Sequence, residues 1–276
     1  MSITAESFAF VSDLVRRRSG IVLETGKEYL VEGRLLPLAR AAAAVDVDTY
    51  VRGLRAAGRP DHLELIVDAL TTNETSWFRD AQPFRALVDH IVPELTSRQG
   101  IVVDPTLRIW SAACSSGQEP YSIAMALADV LPANRVRILA TDLSTEMLER
   151  AKRARYNQLE VNRGLPAPML VRHFARIGAE WEVAQGLRAQ VSFVRHNLLE
   201  SVPIGGPFDV IFLRNVLIYF DLATKQEVLR RVQRALRPGG YLLLGAAETT
   251  MGIDDTWERV PVGRGAIYRA DSRRAA

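Results

Sequence analysis

The sequence predicts an α/β fold with a doubly wound parallel sheet, preceded by an all-helical N-terminal domain. Near the N-terminus, the apolar residues Phe8, Val11 and Val15 keep helical spacing, and Gly20 stands where a helix would end. Three further helical patterns follow at 29–38, 49–57 and 61–70. After residue 105, apolar runs alternate with helical patterns, which is typical of parallel strands joined by crossover helices.

Four of the apolar runs end in a short polar cluster. The runs with their clusters span residues 108–122, 138–144, 191–199 and 209–220. If each run is a strand of one parallel sheet, the clusters lie together at the carboxyl edge, where open α/β sheets bind ligands. This repetition favours a cofactor-binding enzyme over a globular domain without a ligand.

Other segments complete the predicted architecture. The polar stretch 71–82 carries the adjacent aromatics Trp77 and Phe78, so it is predicted to be a connector that packs against something, before a helix that starts at Pro83. Partial alternation predicts a small antiparallel insertion with strands at 173–176, 180–183 and 188–193. The last two apolar runs, at 257–261 and 265–269, predict a hairpin at the sheet edge.

These patterns predict the organisation of the chain. We expect a helical N-terminal domain at 1–72, a connector and helix at 73–95, and the sheet domain at 96–276, with the β subdomain at about 170–190.

Composition excludes several classes of protein. The net charge of +3 is too small to indicate nucleic-acid binding. We expect no transmembrane helix and no membrane insertion, because no apolar stretch of about 20 residues occurs. We expect no signal peptide, because the N-terminus lacks a basic region followed by an apolar run. The single cysteine, Cys114, is expected to be a small buried residue of a cytoplasmic protein, and the four histidines lack metal-ligand spacing.

The loop that follows the first strand indicates the kind of cofactor. Residues 112–119 contain one glycine, Gly117, and match neither the dinucleotide fingerprint G-x-G-x-x-G nor a P-loop. Glu119 adds a carboxylate, which would repel a phosphate and attract an ammonium group. S-adenosyl-L-methionine fits this loop, since it carries adenine, ribose, a sulfonium and an amino-acid end without a phosphate. No metal is expected.

The other three clusters offer partners for such a cofactor. Asp142 could accept hydrogen bonds from both ribose hydroxyls, or it could cap the helix that begins near Ser144. Asn197 and Leu198 could flank adenine. Arg214 with Asn215 predicts either a polar ligand or a structural ion pair, because a buried arginine needs partners.

Six motifs in this order resemble the chemotaxis receptor methyltransferases, the CheR family. They are TTNETSWFR (71–79), SAACSSGQEPYS (111–122), ATDL (140–143), NLL (197–199), RNVLIYF (214–220) and LRPGG (236–240). The last motif occurs in many methyltransferases, whereas the first and fifth are much more specific. Trp77 stands where the family usually has phenylalanine, and Ser116 where threonine is frequent; both changes preserve character.

The resemblance implies a fold, a reaction and a set of site residues. The fold is a Rossmann-like class I methyltransferase sheet, and the reaction is O-methylation of glutamate side chains on chemoreceptor cytoplasmic helices, which forms glutamyl methyl esters and S-adenosyl-L-homocysteine. The resemblance places cofactor-site residues at Asn73, Thr75, Arg79, Glu119, Asp142, Asn197, Leu198, Arg214 and Asn215. It places Arg79 and Tyr219 near the transferred methyl.

The expected partner is the cytoplasmic domain of a methyl-accepting chemoreceptor. Lys27, Arg34 and Arg40 could meet acidic receptor helices, or they could be ordinary surface charge. The β insertion could bind a receptor tail by strand addition. We expect a monomer that binds no nucleic acid.

Two alternatives remain at the level of sequence. The first is a methyltransferase of the same fold that acts on another carboxylate. The second is a non-catalytic module that binds the cofactor, against which the joint presence of Arg79, Asp142 and Tyr219 weighs.

Overall fold

The computed structural model describes residues 3–58, 60–98, 106–263 and 265–270. The chain forms two compact units, one of residues 1–72 with 219–224 and the other of residues 73–218 with 225–276. Among the described residues, no helix combines the length and the apolar character that crossing a membrane requires.

The first unit contains the four predicted helices. They are α1 (Ala5–Ser19), α2 (Glu28–Ala41), α3 (Val47–Ala57) and α4 (Pro60–Leu70). The side chain of Thr4 caps α1 at its start, and Gly20 ends it in the left-handed conformation with φ of +78°. The helices bury the apolar positions that define their spacing, including Val11, Val15 and Leu35. The helical prediction for this region is confirmed.

A short segment from later in the chain groups with these helices. Phe220 forms an isolated antiparallel bridge with Ile21, and Val22 donates its backbone N–H to the Tyr219 carbonyl at 2.9 Å. Arg16 forms an ion pair with Asp221 at 3.0 Å. The motif RNVLIYF is therefore divided between the units: residues 214–218 belong to the second unit, and residues 219–220 belong to the first.

Asp48 is a buried carboxylate that joins α3 to the start of α1. Its Oδ1 accepts hydrogen bonds from the Thr4 hydroxyl at 2.6 Å and the Thr4 backbone N–H at 3.1 Å, and Arg52 lies 3.0 Å from Oδ2. Hydrogen bonds from Ser7 and Thr4 lower the pKa of Asp48 from 3.8 to about 2. Because this pKa is lowered in the folded state, the carboxylate contributes stability above its unfolded pKa, and that contribution is lost as the pH falls.

Asp48→Asn is expected to lower the midpoint of thermal unfolding at pH 7, since the amide loses the charge that these donors stabilise. The difference from the wild type should shrink as the pH falls towards about 2, where the wild-type carboxyl takes up its proton. Circular dichroism melts of the full chain measure both effects, with the exposed Asp13→Asn as the matched control. A difference that stays constant over this pH interval would contradict the assignment.

The second unit is built on a seven-stranded sheet. Its strands are β1 (Leu107–Ala112), β2 (Val136–Asp142), β6 (Val191–Arg195), β7 (Phe208–Leu213), β8 (Leu236–Leu244), β9 (Trp257–Val262) and β10 (Gly265–Ala270), in the spatial order β6-β2-β1-β7-β8-β10-β9. The first five in this order pair in parallel, and β9 and β10 form an antiparallel hairpin at the edge. The four predicted strands and the edge hairpin are confirmed.

The strand order reverses between β1 and β7. From β1 the chain proceeds outward to β2 and β6, and it then returns to place β7 on the other side of β1. Such a switch point leaves a crevice at the carboxyl ends of the strands, where ligands of open α/β sheets bind. The loops that follow β1, β2, β6 and β7 are therefore the loops that can form a ligand site.

Helices precede and connect the strands where the sequence alternates between apolar runs and helical patterns. The helix predicted from Pro83 is α5 (Gln82–Ala86), a π-helical turn (Leu87–Ile91) and α6 (Val92–Arg98). The crossover helices are α7 (Gln118–Leu127), α8 (Thr145–Arg153) and α12 (Leu222–Ala235).

The small antiparallel sheet differs in one strand from the prediction. Strands β4 (Phe174–Ile177) and β5 (Glu180–Val183) pair as expected, but the third strand is β3 (Arg155–Asn157), on the other side of β5. The prediction for 188–193 was wrong, because α11 (Gln185–Arg188) ends there and Val191 already belongs to β6. Two short helices, α9 (Gln158–Asn162) and α10 (Ala167–His173), separate β3 from β4.

Candidate cofactor site

The connector that follows the first unit lies against the loop after β1. The Ser115 hydroxyl donates to the Asn73 carbonyl at 2.7 Å, and the Phe78 backbone N–H donates to the Ser122 hydroxyl at 3.1 Å. These contacts bring the TTN motif beside the first polar cluster. The prediction that this stretch packs against another part of the protein is confirmed.

Trp77 fixes the connector in the core of the second unit. Its side chain is only 1% exposed, and its ring meets the edges of Tyr156 and Phe174 at centroid distances of 4.8 and 5.3 Å. Its carbonyl lies so close to Gly164 that a Cβ at 164 would collide with it. The connector can therefore approach this closely only because residue 164 is glycine.

The loop after β1 makes an unusually tight turn. Ala113, Ser115 and Gly117 all have left-handed φ values, of +60°, +50° and +94°. A Cβ at position 117 would stand 2.9 Å from the Ala151 Cβ and 3.0 Å from the Tyr156 hydroxyl, so this position requires glycine.

Asp142 holds this loop from the end of β2. Its Oδ2 accepts the Ser115 backbone N–H at 2.7 Å, and its Oδ1 accepts the Ser144 backbone N–H at 2.9 Å. The N-cap of α8 is Ser144, whose side chain accepts from Met147, so Asp142 is not the cap. Burial raises the pKa of the Asp142 carboxyl, although the bonds from Ser144 and Ser115 lower it.

Arg214 spans the switch point as the centre of an ion-pair network. Its Nη1 lies 3.0 Å from Glu119 Oε2, and its Nη2 lies 2.6 Å from Asp80 Oδ2 and 2.7 Å from the Arg79 carbonyl. The Arg214 side chain is 2% exposed, and its guanidinium lies 5.6 Å from the centre of the Phe84 ring. The sequence predicted either a polar ligand or a structural ion pair for Arg214, and the described residues form the ion pair.

Glu119 sits in the first turn of α7, where it also accepts the Ser111 hydroxyl at 2.8 Å. Burial raises the pKa of the Glu119 carboxyl, although Arg214 and Ser111 lower it. The raised pKa values of Glu119 and Asp142 mean that protein donors do not fully offset the buried negative charge here. A ligand with an ammonium group and hydroxyl donors would complete that compensation, so the residues fit S-adenosyl-L-methionine.

The end of β6 brings the third cluster beside Asp142. His196 donates its backbone N–H to the Asp142 carbonyl at 3.0 Å, one residue before Asn197. The Asn197 side chain accepts the Leu199 N–H at 3.0 Å, and the Leu198 carbonyl accepts from Arg231 at 3.1 Å. Both Asn197 and Leu198 are partly exposed.

Three other predicted residues have less distinctive surroundings. Thr75 is partly buried within the connector, and Arg79 donates from Nη1 to the Glu74 carbonyl at 3.1 Å. Tyr219 is partly buried and ends a 3₁₀ turn (Leu217–Tyr219). The predicted role of Thr75 in the cofactor site, and those of Arg79 and Tyr219 near the transferred methyl, stay predictions.

The sequence did not predict the roles of two carboxylates, Asp80 and Glu248. Asp80 follows the connector motif and pairs with Arg214, while Glu248 follows β8 and accepts backbone bonds from the start of the β7 loop. Asp80 could have been suspected from the buried arginine, which needs partners. Nothing in the sequence near Glu248 marks it, since three of its four backbone partners lie 31–33 residues away.

Cys114 lies in this loop and is 1% exposed. Burial raises the pKa of its thiol well above the ordinary value, with further contributions from Asp142 and Glu119. The thiolate that a nucleophile needs is therefore disfavoured, which agrees with the predicted packing role.

The parallel sheet, its switch point and the carboxylate-lined loops fit a class I methyltransferase that uses S-adenosyl-L-methionine. Comparison with known families narrows this class. The family described as "CheR methyltransferase, SAM binding domain" matches residues 73–265, and "CheR methyltransferase, all-alpha domain" matches residues 6–71. The chain belongs to the CheR methyltransferase family.

Curated relatives agree with this membership over nearly the whole chain. Chemotaxis protein methyltransferase 1 of Pseudomonas aeruginosa is 42% identical over 277 residues, which cover 98% of this chain and 100% of the relative. Chemotaxis protein methyltransferase Cher2 of Pseudomonas putida is 41% identical and covers 93% and 94%. The chemotaxis protein methyltransferase of Escherichia coli is 38% identical and covers 90% and 86%.

Proposed function

We propose that this protein transfers the methyl group of S-adenosyl-L-methionine to glutamate side chains on the cytoplasmic helices of chemoreceptors, and so tunes adaptation in a chemosensory pathway. The observation that carries the proposal is the switch-point site with Glu119, Asp142 and Arg214, in a chain whose relatives are named chemotaxis protein methyltransferases. No observation favours another carboxylate substrate or a non-catalytic module.

We propose roles for these side chains from their motifs and from the loops at the switch point on which they lie. Glu119 would hold the ammonium of the cofactor and Asp142 the ribose hydroxyls, while Asn197 and Leu198 would flank adenine. The remaining proposed cofactor residues are Asn73, Thr75, Arg79, Arg214 and Asn215. Arg214 would act by holding the Glu119 carboxylate and the Arg79 carbonyl in place.

The reaction requires little acid–base chemistry from the protein. When bound, the cofactor supplies a sulfonium methyl group and leaves as S-adenosyl-L-homocysteine. A glutamate acceptor has a pKa of about 4.3 and is already ionised at pH 7, so no general base is needed. The protein would contribute positioning and the exclusion of water, with Arg79 holding the acceptor carboxylate through a charge-assisted contact.

We propose that two parts of the chain, the helical first unit and the small three-stranded sheet, take part in recognising the receptor. Lys27 and Arg40 lie on or next to α2 and could meet acidic receptor helices. Arg34 is less available, because its Nη1 donates to the Leu70 and Thr71 carbonyls at 2.9 and 2.7 Å at the end of α4. The three-stranded sheet has open edges at β3 and β4 that could accept a receptor peptide. We propose a cytoplasmic monomer.

Tyr219→Phe is expected to bind the cofactor normally and to turn over slowly, because the phenol would donate a hydrogen bond near the transferred methyl. Single-turnover methyl transfer measures the chemical step, and calorimetry with S-adenosyl-L-homocysteine measures binding. Tyr29→Phe, which removes the hydroxyl of an exposed tyrosine on α2, is the matched control. Unchanged single-turnover rates would remove Tyr219 from the mechanism.

The acceptor is tested with receptor cytoplasmic fragments and radiolabelled S-adenosyl-L-methionine. We expect label on a fragment that carries its glutamates and none on a fragment in which the same glutamates are changed to glutamine. Equal labelling of both fragments would refute glutamate as the acceptor.

A further inference from the structure

The Glu248 carboxylate accepts hydrogen bonds from the backbone of two loops at the carboxyl edge of the sheet. Glu248 Oε2 accepts the N–H groups of Asn215 and Gly245, each at 2.7 Å. Its Oε1 accepts the N–H groups of Val216 at 2.9 Å and Leu217 at 2.8 Å. Four backbone donors, from the loops after β7 and β8, thus converge on a single side chain.

This convergence holds Asn215 in a conformation that the residue does not adopt by default. Its φ is +58°, in the left-handed region, which asparagine enters more readily than most residues but still adopts in a minority of cases. Charge-assisted bonds to Asn215 and to the next two N–H groups fix the chain on both sides of this turn. Without them, the loop would relax towards ordinary backbone angles and move the Asn215 side chain.

Gly245 completes the arrangement. A Cβ at this position would stand 2.7 Å from Asn215 Nδ2 and 2.8 Å from Glu248 Oε2. The Asn215 amide therefore packs directly over the Gly245 backbone, beside the carboxylate. Arg214, the centre of the ion-pair network, immediately precedes this turn.

We propose that Glu248 is a positioning residue for cofactor binding, which acts by holding Asn215 in its left-handed turn while Gly245 leaves room for the Asn215 amide. The inference rests on the proposed function, because it takes Asn215 as a cofactor residue. It adds a residue that acts through Asn215, and it states the route by which that residue acts.

Glu248→Gln is the first test, since the amide keeps the size of the side chain. Whichever oxygen becomes NH₂, two of the four backbone donors lose their acceptor. We expect the Kd for S-adenosyl-L-homocysteine to rise about tenfold or more, with kcat at saturating cofactor changed by less than about threefold. Asp255→Asn, an exposed carboxylate in the same loop, should leave both unchanged.

A double-mutant cycle separates positioning from general stability. If Glu248 acts through Asn215, Glu248→Gln should weaken binding much less in an Asn215→Ala background than in the wild type. Equal losses in both backgrounds, or a lower unfolding temperature with an unchanged Kd, would overturn the inference.

Gly245→Ala provides a second route if Glu248→Gln does not fold. Its methyl group would displace the Asn215 amide and the Glu248 carboxylate, so a similar rise in Kd is expected, whereas Gly186→Ala meets no atom within 4 Å and should have no effect. An unchanged Kd for Gly245→Ala would also overturn the inference. If the wild type itself gives no binding heat, the proposed function fails first, and this inference with it.

Discussion

Asp142→Ala is expected to eliminate measurable binding of S-adenosyl-L-homocysteine. The substitution removes the proposed acceptor of the ribose hydroxyls, and it leaves the backbone N–H groups of Ser115 and Ser144 without their acceptor. Hydrogen bonds to a charged group contribute about 1.5–3 kcal/mol each, so losing two ribose bonds corresponds to on the order of 100-fold or more in affinity.

Isothermal titration calorimetry measures this loss directly. Asp142→Asn, which keeps one acceptor oxygen, should give an intermediate affinity, and the exposed Asp255→Ala should bind as the wild type does. Circular dichroism establishes that the variants are folded. Near-normal affinity in folded Asp142→Ala would refute the assignment of Asp142 to the cofactor site.

Arg214→Met is expected to lower the free energy of unfolding by about 3–5 kcal/mol, as is usual when one partner of a buried ion pair is removed. The Glu119 side chain is 12% exposed and would lose its cation, and the Arg79 carbonyl would lose a donor. Adding Glu119→Gln should recover part of the loss, since the amide needs no counter-charge. Urea denaturation of the full chain measures both variants.

The loss of unfolding free energy caused by Arg214→Met is expected to depend on pH in a defined direction. Burial already raises the folded pKa of Glu119, so the folded state keeps its proton to a higher pH than the unfolded state does, and the unfolding free energy falls as the pH rises between the two pKa values. Arg214 lowers that pKa, so its removal should extend the fall to higher pH. The cost of Arg214→Met should therefore shrink as the pH decreases.

A matched control exists on α12. Arg230 is 57% exposed and pairs with Glu227, so Arg230→Met should cost less than about 1 kcal/mol. A free energy of unfolding for Arg214→Met that equals the wild-type value would contradict the structural role of the network.

The spacing of apolar residues predicted those helices and strands that are determined by residues within one short segment. The buried strand β7 reads as a continuous apolar run, and Gly20 and Gly117 mark positions that need left-handed backbone. The edge hairpin of β9 and β10 was also within reach, because its two strands are adjacent in sequence. The polar clusters after β1 and β7 then placed Glu119 and Arg214 at the same edge of the sheet, where the two side chains form an ion pair.

Long-range partners were beyond sequence reasoning. β3 pairs with β5 across two helices, so adjacency in sequence suggested a wrong third strand. The strand β8 begins at Leu236, within the motif LRPGG, and its register against β7 shifts between Phe208 and Val210. Glu248 and Arg34 serve backbone groups 31–37 residues away, which no pattern in one sequence specifies.

The central claim is that this chain forms carboxyl methyl esters on a chemoreceptor. The most direct measurement transfers radiolabelled methyl from S-adenosyl-L-methionine to a receptor cytoplasmic fragment and then exposes the labelled fragment to mild alkali. The account predicts label that alkali releases as methanol, because glutamyl methyl esters hydrolyse readily. Label that survives alkali would indicate a nitrogen acceptor and contradict the account, as would tight cofactor binding without any label on the receptor.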